Sequence, residues 1–150
     1  MIKRRLYGCI TFFAGIVTAF VLKRNNRCQD EEREKYYLYY NLLNNWMKQK
    51  EKGESIAEKL QQRGIQEIAV YGMGDIAKHL QNELSGTNII VKYAIDKSIL
   101  SVIDIDTYFP DSELPKVDAV IVTPIMDYEN IYSLLRKKMS CPIICIRDLI

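Results

Sequence analysis

Glycines 72 and 74, with alanine at 77, stand between an apolar run, Ile68-Ala-Val-Tyr71, and an amphipathic stretch that begins at Asp75. Residues of these types at this spacing suit one kind of chemistry, the cradling of a phosphate by backbone N–H groups. The first glycine permits a tight turn, the second lets the backbone approach a pyrophosphate, and a small third residue packs the helix that follows onto its strand. The positive end of that helix adds a field that favours an anion. Asp96 follows Gly74 by 22 positions, where an acid can hold ribose hydroxyls. The residues expected to line such a crevice are Tyr71, Gly72, Met73, Gly74 and Asp96, with Thr123 and Pro124 facing them from across it. Asp75 pulls the other way. A carboxylate in the first helical turn repels a phosphate, so Asp75→Gly is expected to strengthen binding of any phosphorylated ligand. On the residues alone, both a nucleotide-binding crevice and one that takes no dinucleotide stay open.

Other chemistry is scarce. Tyr93-Ala-Ile-Asp-Lys97 has the Y-x-x-x-K spacing of a dehydrogenase pair. It lies along a strand, however, which separates the two side chains by more than ~10 Å at ~3.3 Å per residue. His79, the only histidine, sits inside the helix after the glycine turn with no nucleophile beside it. Cys141 and Cys145 flank a strand and read as small buried hydrophobes, since metal ligation would require further His or Cys partners. No nucleophile elbow, P-loop or zincin motif occurs. We assign no catalytic and no metal-binding residue, and the chain reads more as a non-enzyme than as an enzyme.

These residues need elements to position them. Short apolar strands are expected at 67–71, 89–95, 119–123 and 142–146, with a weaker one near 102–105. Helices are expected at 75–84 and from Asp127 to the basic run Arg136-Lys-Lys138. Alternation of this kind predicts a small Rossmann-like α/β domain over 64–150, with a parallel sheet in the order 3-2-1-4-5. A helical segment at 28–63 precedes it. There Tyr36, Tyr39, Tyr40, Leu43, Trp46 and Met47 recur at helical steps. This aromatic face over 36–47 suits a partner helix, the bilayer interface, or packing on its own domain. Ser55 and Glu58 have capping-box spacing for a helix from Ile56 to Arg63.

Charge is unevenly spread. Six of the 21 basic residues, and none of the 19 acidic ones, fall within positions 1–27, which leaves the remainder net acidic. A net-acidic globular part without a basic stripe argues against nucleic-acid binding. The basic residues bracket Leu6 to Leu22, an uncharged run of 17 residues. As a helix it would be ~26 Å long, close to a ~30 Å hydrocarbon core when flanking basic residues snorkel. A cleaved signal peptide or a buried helix are the other readings, but the run lacks a small-x-small site and the flanks are strongly basic. A single-pass membrane anchor over 1–27 is expected, and both flanks are basic, so charge leaves its orientation open. Cys28 is a juxtamembrane thiol of the kind that accepts palmitoylation.

The chain resembles a group of uncharacterised small membrane-anchored Rossmann-like proteins from Gram-positive surface and capsular polysaccharide gene clusters. The residues that carry the resemblance are the basic-flanked anchor, Tyr40-Asn-Leu-Leu-Asn-Asn-Trp46, Lys52-Gly-Glu-Ser-Ile56 and Ile68-Ala-Val-Tyr-Gly-Met-Gly74. Tyr93-Ala-Ile-Asp-Lys97, Leu114-Pro-Lys-Val-Asp118 and Val120-Ile-Val-Thr123 continue it over most of the chain. Ala77 departs from it, standing where relatives tend to carry glycine. The resemblance implies a globular part in the cytoplasm, where polysaccharide precursors are made, and kinship with NAD(P)-binding and nucleotide-sugar-enzyme domains. Two functions are carried forward: a membrane-tethered accessory or scaffold protein, and a module that binds NAD(P) or a nucleotide sugar, with or without weak oxidoreductase or epimerase-like activity.

Overall fold

A computed structural model of the chain describes residues 29–98 and 105–150. Two compact units divide the chain, Met1–Asn41 and Leu42–Ile150. The described part of the first is helical, and Tyr36, Tyr37 and Tyr40 are exposed on it. The expected anchor over 6–22, with Cys9 and Cys28, lies outside the described residues. Among those that are described, no helix is long and apolar enough to cross a membrane.

The second unit is built on five parallel strands: β1 (Glu67–Tyr71), β2 (Ile90–Ile95), β3 (Thr107–Tyr108), β4 (Ala119–Val122) and β5 (Ile143–Cys145). They lie in the order β3-β2-β1-β4-β5, as expected from the alternation. Among the described residues four α-helices accompany them: α1 over 29–51, which enters this unit at Leu42, then α2 (Ile56–Gln62), α3 (Asp75–Leu84) and α4 (Tyr128–Leu135). β1 and β4 are apolar almost throughout because central parallel strands are covered on both faces. α3 carries the chain from β1 to β2 in one direction along the sheet, and α4 carries it from β4 to β5 in the other. Right-handed crossovers therefore put the two helices on opposite faces. On the α4 face, Ile131 and Leu135 pack with Ala69, Tyr71, Tyr93, Ile95, Val120 and Val122. α3 buries Ile76, Ala77, Leu80 and Leu84.

Several local features depart from expectation. β3 forms at Thr107–Tyr108, where a β-branched and an aromatic residue pair with Ala94 and Ile95. The expected strand near 102–105 falls largely outside the described residues. Tyr108 meets Tyr93 edge-to-face at 5.1 Å, a contact that fixes this two-residue edge. No helix joins β3 to β4. Residues 109–118 instead cover the α4 face, with Leu114 and Val117 packed on the core there. Tyr93 Oη donates to the Pro115 carbonyl at 2.6 Å and Lys138 Nζ to the Pro110 carbonyl at 2.9 Å.

The helical face of α1 is also shifted. Leu42, Trp46 and Gln49 are buried, at steps of four and three, while Leu43 and Met47 are exposed. Residues at these steps share one face, so tyrosine spacing located the helix but not the stripe it buries. The expected capping box is half made. Ser55 Oγ accepts from the Ala57 N–H at 3.1 Å, but the carboxylate serving that helix end is Glu83 of α3, which accepts from the Ile56 N–H at 3.0 Å. The Trp46 indole N–H also donates to Glu83, and Lys50 Nζ lies 3.2 Å from it. The Glu83 side chain is only 3% exposed, so one carboxylate ties α1, α2 and α3 together.

Candidate functional site

The parallel register brings Tyr71, Ile95 and Val122 level with one another. The residues that follow each strand therefore meet at the carboxyl edge of the sheet, where β1 and β4 diverge and ligands of such sheets sit. Each expected residue can be placed there. Tyr71 lies at the edge, but its side chain turns into the core on the α4 face. Its carbonyl accepts from the Thr123 N–H at 3.1 Å. Thr123 Oγ1 lies 3.1 Å from the Tyr71 carbonyl and 3.0 Å from that of Gly72, so its proton serves one of them at a time.

Gly72 closes the crevice from the β1 side. Its φ is +86°, and its N–H donates to the Ile95 carbonyl at 2.8 Å. A Cβ on Gly72 would lie 2.8 Å from the Pro124 ring and 3.0 Å from Thr123 Oγ1. The glycine is thus needed for its left-handed backbone and for a close approach made by the protein itself. Gly74 differs: it caps α3 in extended backbone, and a Cβ there would meet nothing within 4 Å.

Met73 and Asp96 are joined directly. The Met73 N–H donates to Asp96 Oδ2 at 2.7 Å, and Ser98 donates to Oδ1 through its N–H at 2.9 Å and its hydroxyl at 3.1 Å. Burial raises the Asp96 pKa, but the donors from Ser98, Met73 and Lys97 outweigh it and hold the carboxyl below its ordinary value. Asp96 is therefore a carboxylate at neutral pH, with both oxygens already engaged. Ser98 is the partner that sequence reasoning missed. An acid followed two positions later by serine is an Asx-turn signal, and it was there to be read.

Beyond the turn, the first helical N–H groups of α3, those of Gly74, Asp75 and Ile76, take no protein acceptor among the described residues. Asp75 does not fold back over them. Its side chain is 86% exposed and paired with Lys78 Nζ at 3.0 Å, and that hydrogen bond, with the charge of Lys78, lowers its pKa. The positive helix end is thus left open and its acid is partly compensated, an arrangement able to hold an anion weakly.

Tyr71 carries an uncommon feature. It is 4% exposed and its phenol oxygen has no hydrogen-bond partner among the described residues. Burial pushes its pKa up, and Asp127, Asp96 and Asp111 push it further. Catalytic groupings are not assembled around it. Tyr93 is buried with its hydroxyl on Pro115, Lys97 is exposed, and His79 packs edge-on to Trp46 at 6.4 Å. Cys141 and Cys145 are free thiols, with Cys145 in the core. Among the described residues no group of three His, Cys, Asp or Glu side chains is placed to hold a metal. No protein-family profile, curated protein or solved structure matches this chain.

Proposed function

We propose that this chain is a membrane-tethered accessory or scaffold protein, whose Rossmann-like domain works as a folded platform and not as a dinucleotide enzyme. One observation carries this reading: Asp96, the acid that ribose hydroxyls would need, already accepts three hydrogen bonds, from the Met73 N–H and from the N–H and hydroxyl of Ser98. Of the roughly four lone-pair sites of a carboxylate, one on Oδ2 is left, so a ribose diol that engages both oxygens would have to displace Ser98 from Oδ1. The close packing of Gly72 on Thr123 and Pro124 supports the same reading, because it fills the divergence of β1 and β4 with the protein's own atoms. The anchor over 6–22 rests on its length and basic flanks, and the link to surface polysaccharide synthesis rests on the resemblance.

A second reading is favoured by the open N–H groups of Gly74, Asp75 and Ile76. In it, the domain binds the phosphates of NAD(P) or a nucleotide sugar at the head of α3, and Asp75→Gly strengthens that binding. A thermal-shift panel separates the two. NAD(H), NADP(H), UDP-sugars and CDP-sugars are added at millimolar concentration to the full chain in non-ionic detergent. A ligand selective for the native state stabilises it by about 2.7 kcal/mol at a hundredfold excess over Kd. The platform reading expects no rise in Tm that changes when Asp75 is replaced. A rise with any of these ligands that grows in Asp75→Gly overturns it in favour of the second.

A further inference from the structure

A cavity lies far from the glycine turn, at the opposite edge of the sheet. Chain leaving α4 runs through Arg136, Lys137, Lys138, Met139, Ser140 and Cys141 before entering β5, and these residues enclose a pocket of about 610 Å³. Tyr132, Pro142 and Ile143 complete its wall. No acidic side chain lines it, and none of the three cations forms an ion pair among the described residues.

Basic residues at the end of α4 answer the negative end of its dipole, and that alone explains their sign. It does not explain a concavity between them, nor why two of the three are held in place. Arg136 Nη1 donates to Tyr132 Oη at 3.0 Å, and its guanidinium lies 5.8 Å from the centre of that ring. Lys138 Nζ donates to the Pro110 carbonyl at 2.9 Å. Both partners are neutral, so they fix the cations without cancelling their charge. Asp118, at the same edge, gives one carboxylate oxygen to the N–H groups of Gln66 and Glu67. Burial, and then the charge of Asp118, pushes the Cys141 thiol up, so the thiol stays neutral at physiological pH, and Asp118 is the one acid among the described residues whose field reaches the wall at this point.

We propose that this pocket binds a small phosphorylated molecule carrying at least two negative charges, such as a pyrophosphate-bearing compound. Its volume lies within the range of small-molecule sites, roughly 300–1,000 Å³. Arg136 supplies a planar fork for phosphate oxygens, Lys137 and Lys138 supply point charges, and Ser140 adds a hydroxyl. A flat membrane surface would not require a cavity. The site is independent of the glycine turn, and its occupancy does not depend on which reading of that turn holds.

The test is a titration of the ¹⁵N-labelled full chain, in non-ionic detergent at constant ionic strength, with inorganic pyrophosphate. Saturable shifts at the amides of residues 136–141 and 143 are expected. Arg136→Gln and Lys137→Gln, both at exposed positions, should each weaken the affinity about tenfold, the loss of one charge-assisted hydrogen bond. Unchanged spectra elsewhere would establish that these variants remain folded. Shifts confined to residues 72–76, or equal affinity in the variants, would overturn the proposal. So would binding to phosphatidylglycerol vesicles without any response to free pyrophosphate, which would make the patch a lipid contact.

Discussion

The Met73 N–H and the Asp96 carboxylate, in the turns after β1 and β2, are joined by a hydrogen bond of 2.7 Å. This bond closes the glycine turn onto its neighbouring strand and makes the turn's shape a property of the folded chain. Asp96→Ala removes the acceptor for Met73 and for Ser98. It should cost about 1–3 kcal/mol, the range for a donor left unmatched, measured by urea unfolding. The pH dependence has a definite sign. Burial opposes ionisation of Asp96, but its hydrogen bonds keep the folded pKa below the ordinary value. The stabilisation is thus complete above the unfolded value of about 4 and is lost as pH falls through the folded one. Asp96→Asn should flatten the acid limb of a stability–pH curve. An unchanged limb would show that the bond contributes nothing.

The two glycines of the turn should respond in opposite ways. Gly72→Ala meets both a positive φ and the Pro124 ring at 2.8 Å, and should destabilise by more than about 2 kcal/mol. Gly74→Ala has open space and ordinary backbone, and should change stability by less than about 1 kcal/mol. Paired chemical-denaturation curves decide it, and equal losses would refute the distinction.

Here the limits of sequence reading become physical. Strand and helix positions were legible because apolar runs and glycine breaks report burial and chain reversal locally. The sheet order followed from handedness. The motif placed Gly72 and Asp96 at one edge, yet it could not say that Gly72 serves Pro124 or that Asp96 serves Met73. Those partners lie 52 and 23 positions away, and only register decides whether a side chain meets a ligand or its own backbone. Glu83 was invisible for the same reason. A glutamate in an amphipathic helix reads as solvated, and its three donors come from two other helices.

Glu83→Ala should accordingly be among the most damaging polar changes. It strands the Trp46 indole N–H and the Ile56 N–H and frees Lys50. A cost of about 2–4 kcal/mol is expected from two unmatched donors. Trp46 is the only tryptophan, so its emission should move to the red in the same variant as water reaches the indole. Glu83→Ala with wild-type emission and stability would exclude this role for the carboxylate.

Tyr71 and Tyr93 offer the same substitution with opposite outcomes. Tyr93→Phe removes the donor to the Pro115 carbonyl and should cost about 1–1.5 kcal/mol. Tyr71→Phe removes a buried hydroxyl that has no partner, and should be neutral or stabilising by about 1 kcal/mol. Burial pushes the Tyr93 pKa up to about 12. Its contribution is therefore full below the unfolded value of about 10 and is lost as pH rises towards 12. Tyr93→Phe should remove about one proton from the alkaline slope, read by ultraviolet titration alongside thermal melts.

The segment over 109–118 has a consequence for how this molecule opens. A helical crossover carries its own backbone ladder, whereas this stretch, up to Val117, keeps its place through the apolar contacts of Leu114 and Val117 and single bonds from Tyr93 and Lys138, with Asp118 pinned to Gln66 and Glu67 at its end. Lifting it away breaks few hydrogen bonds and exposes the α4 face of β2 directly. In hydrogen exchange, the amides of Ala94 and Asp96, which donate to the Asp106 and Tyr108 carbonyls beside this segment, would then report a local opening well below the global free energy, while those of β4 exchange only with complete unfolding. The absent helix makes this face a door in the domain, hinged between Tyr108 and Asp118.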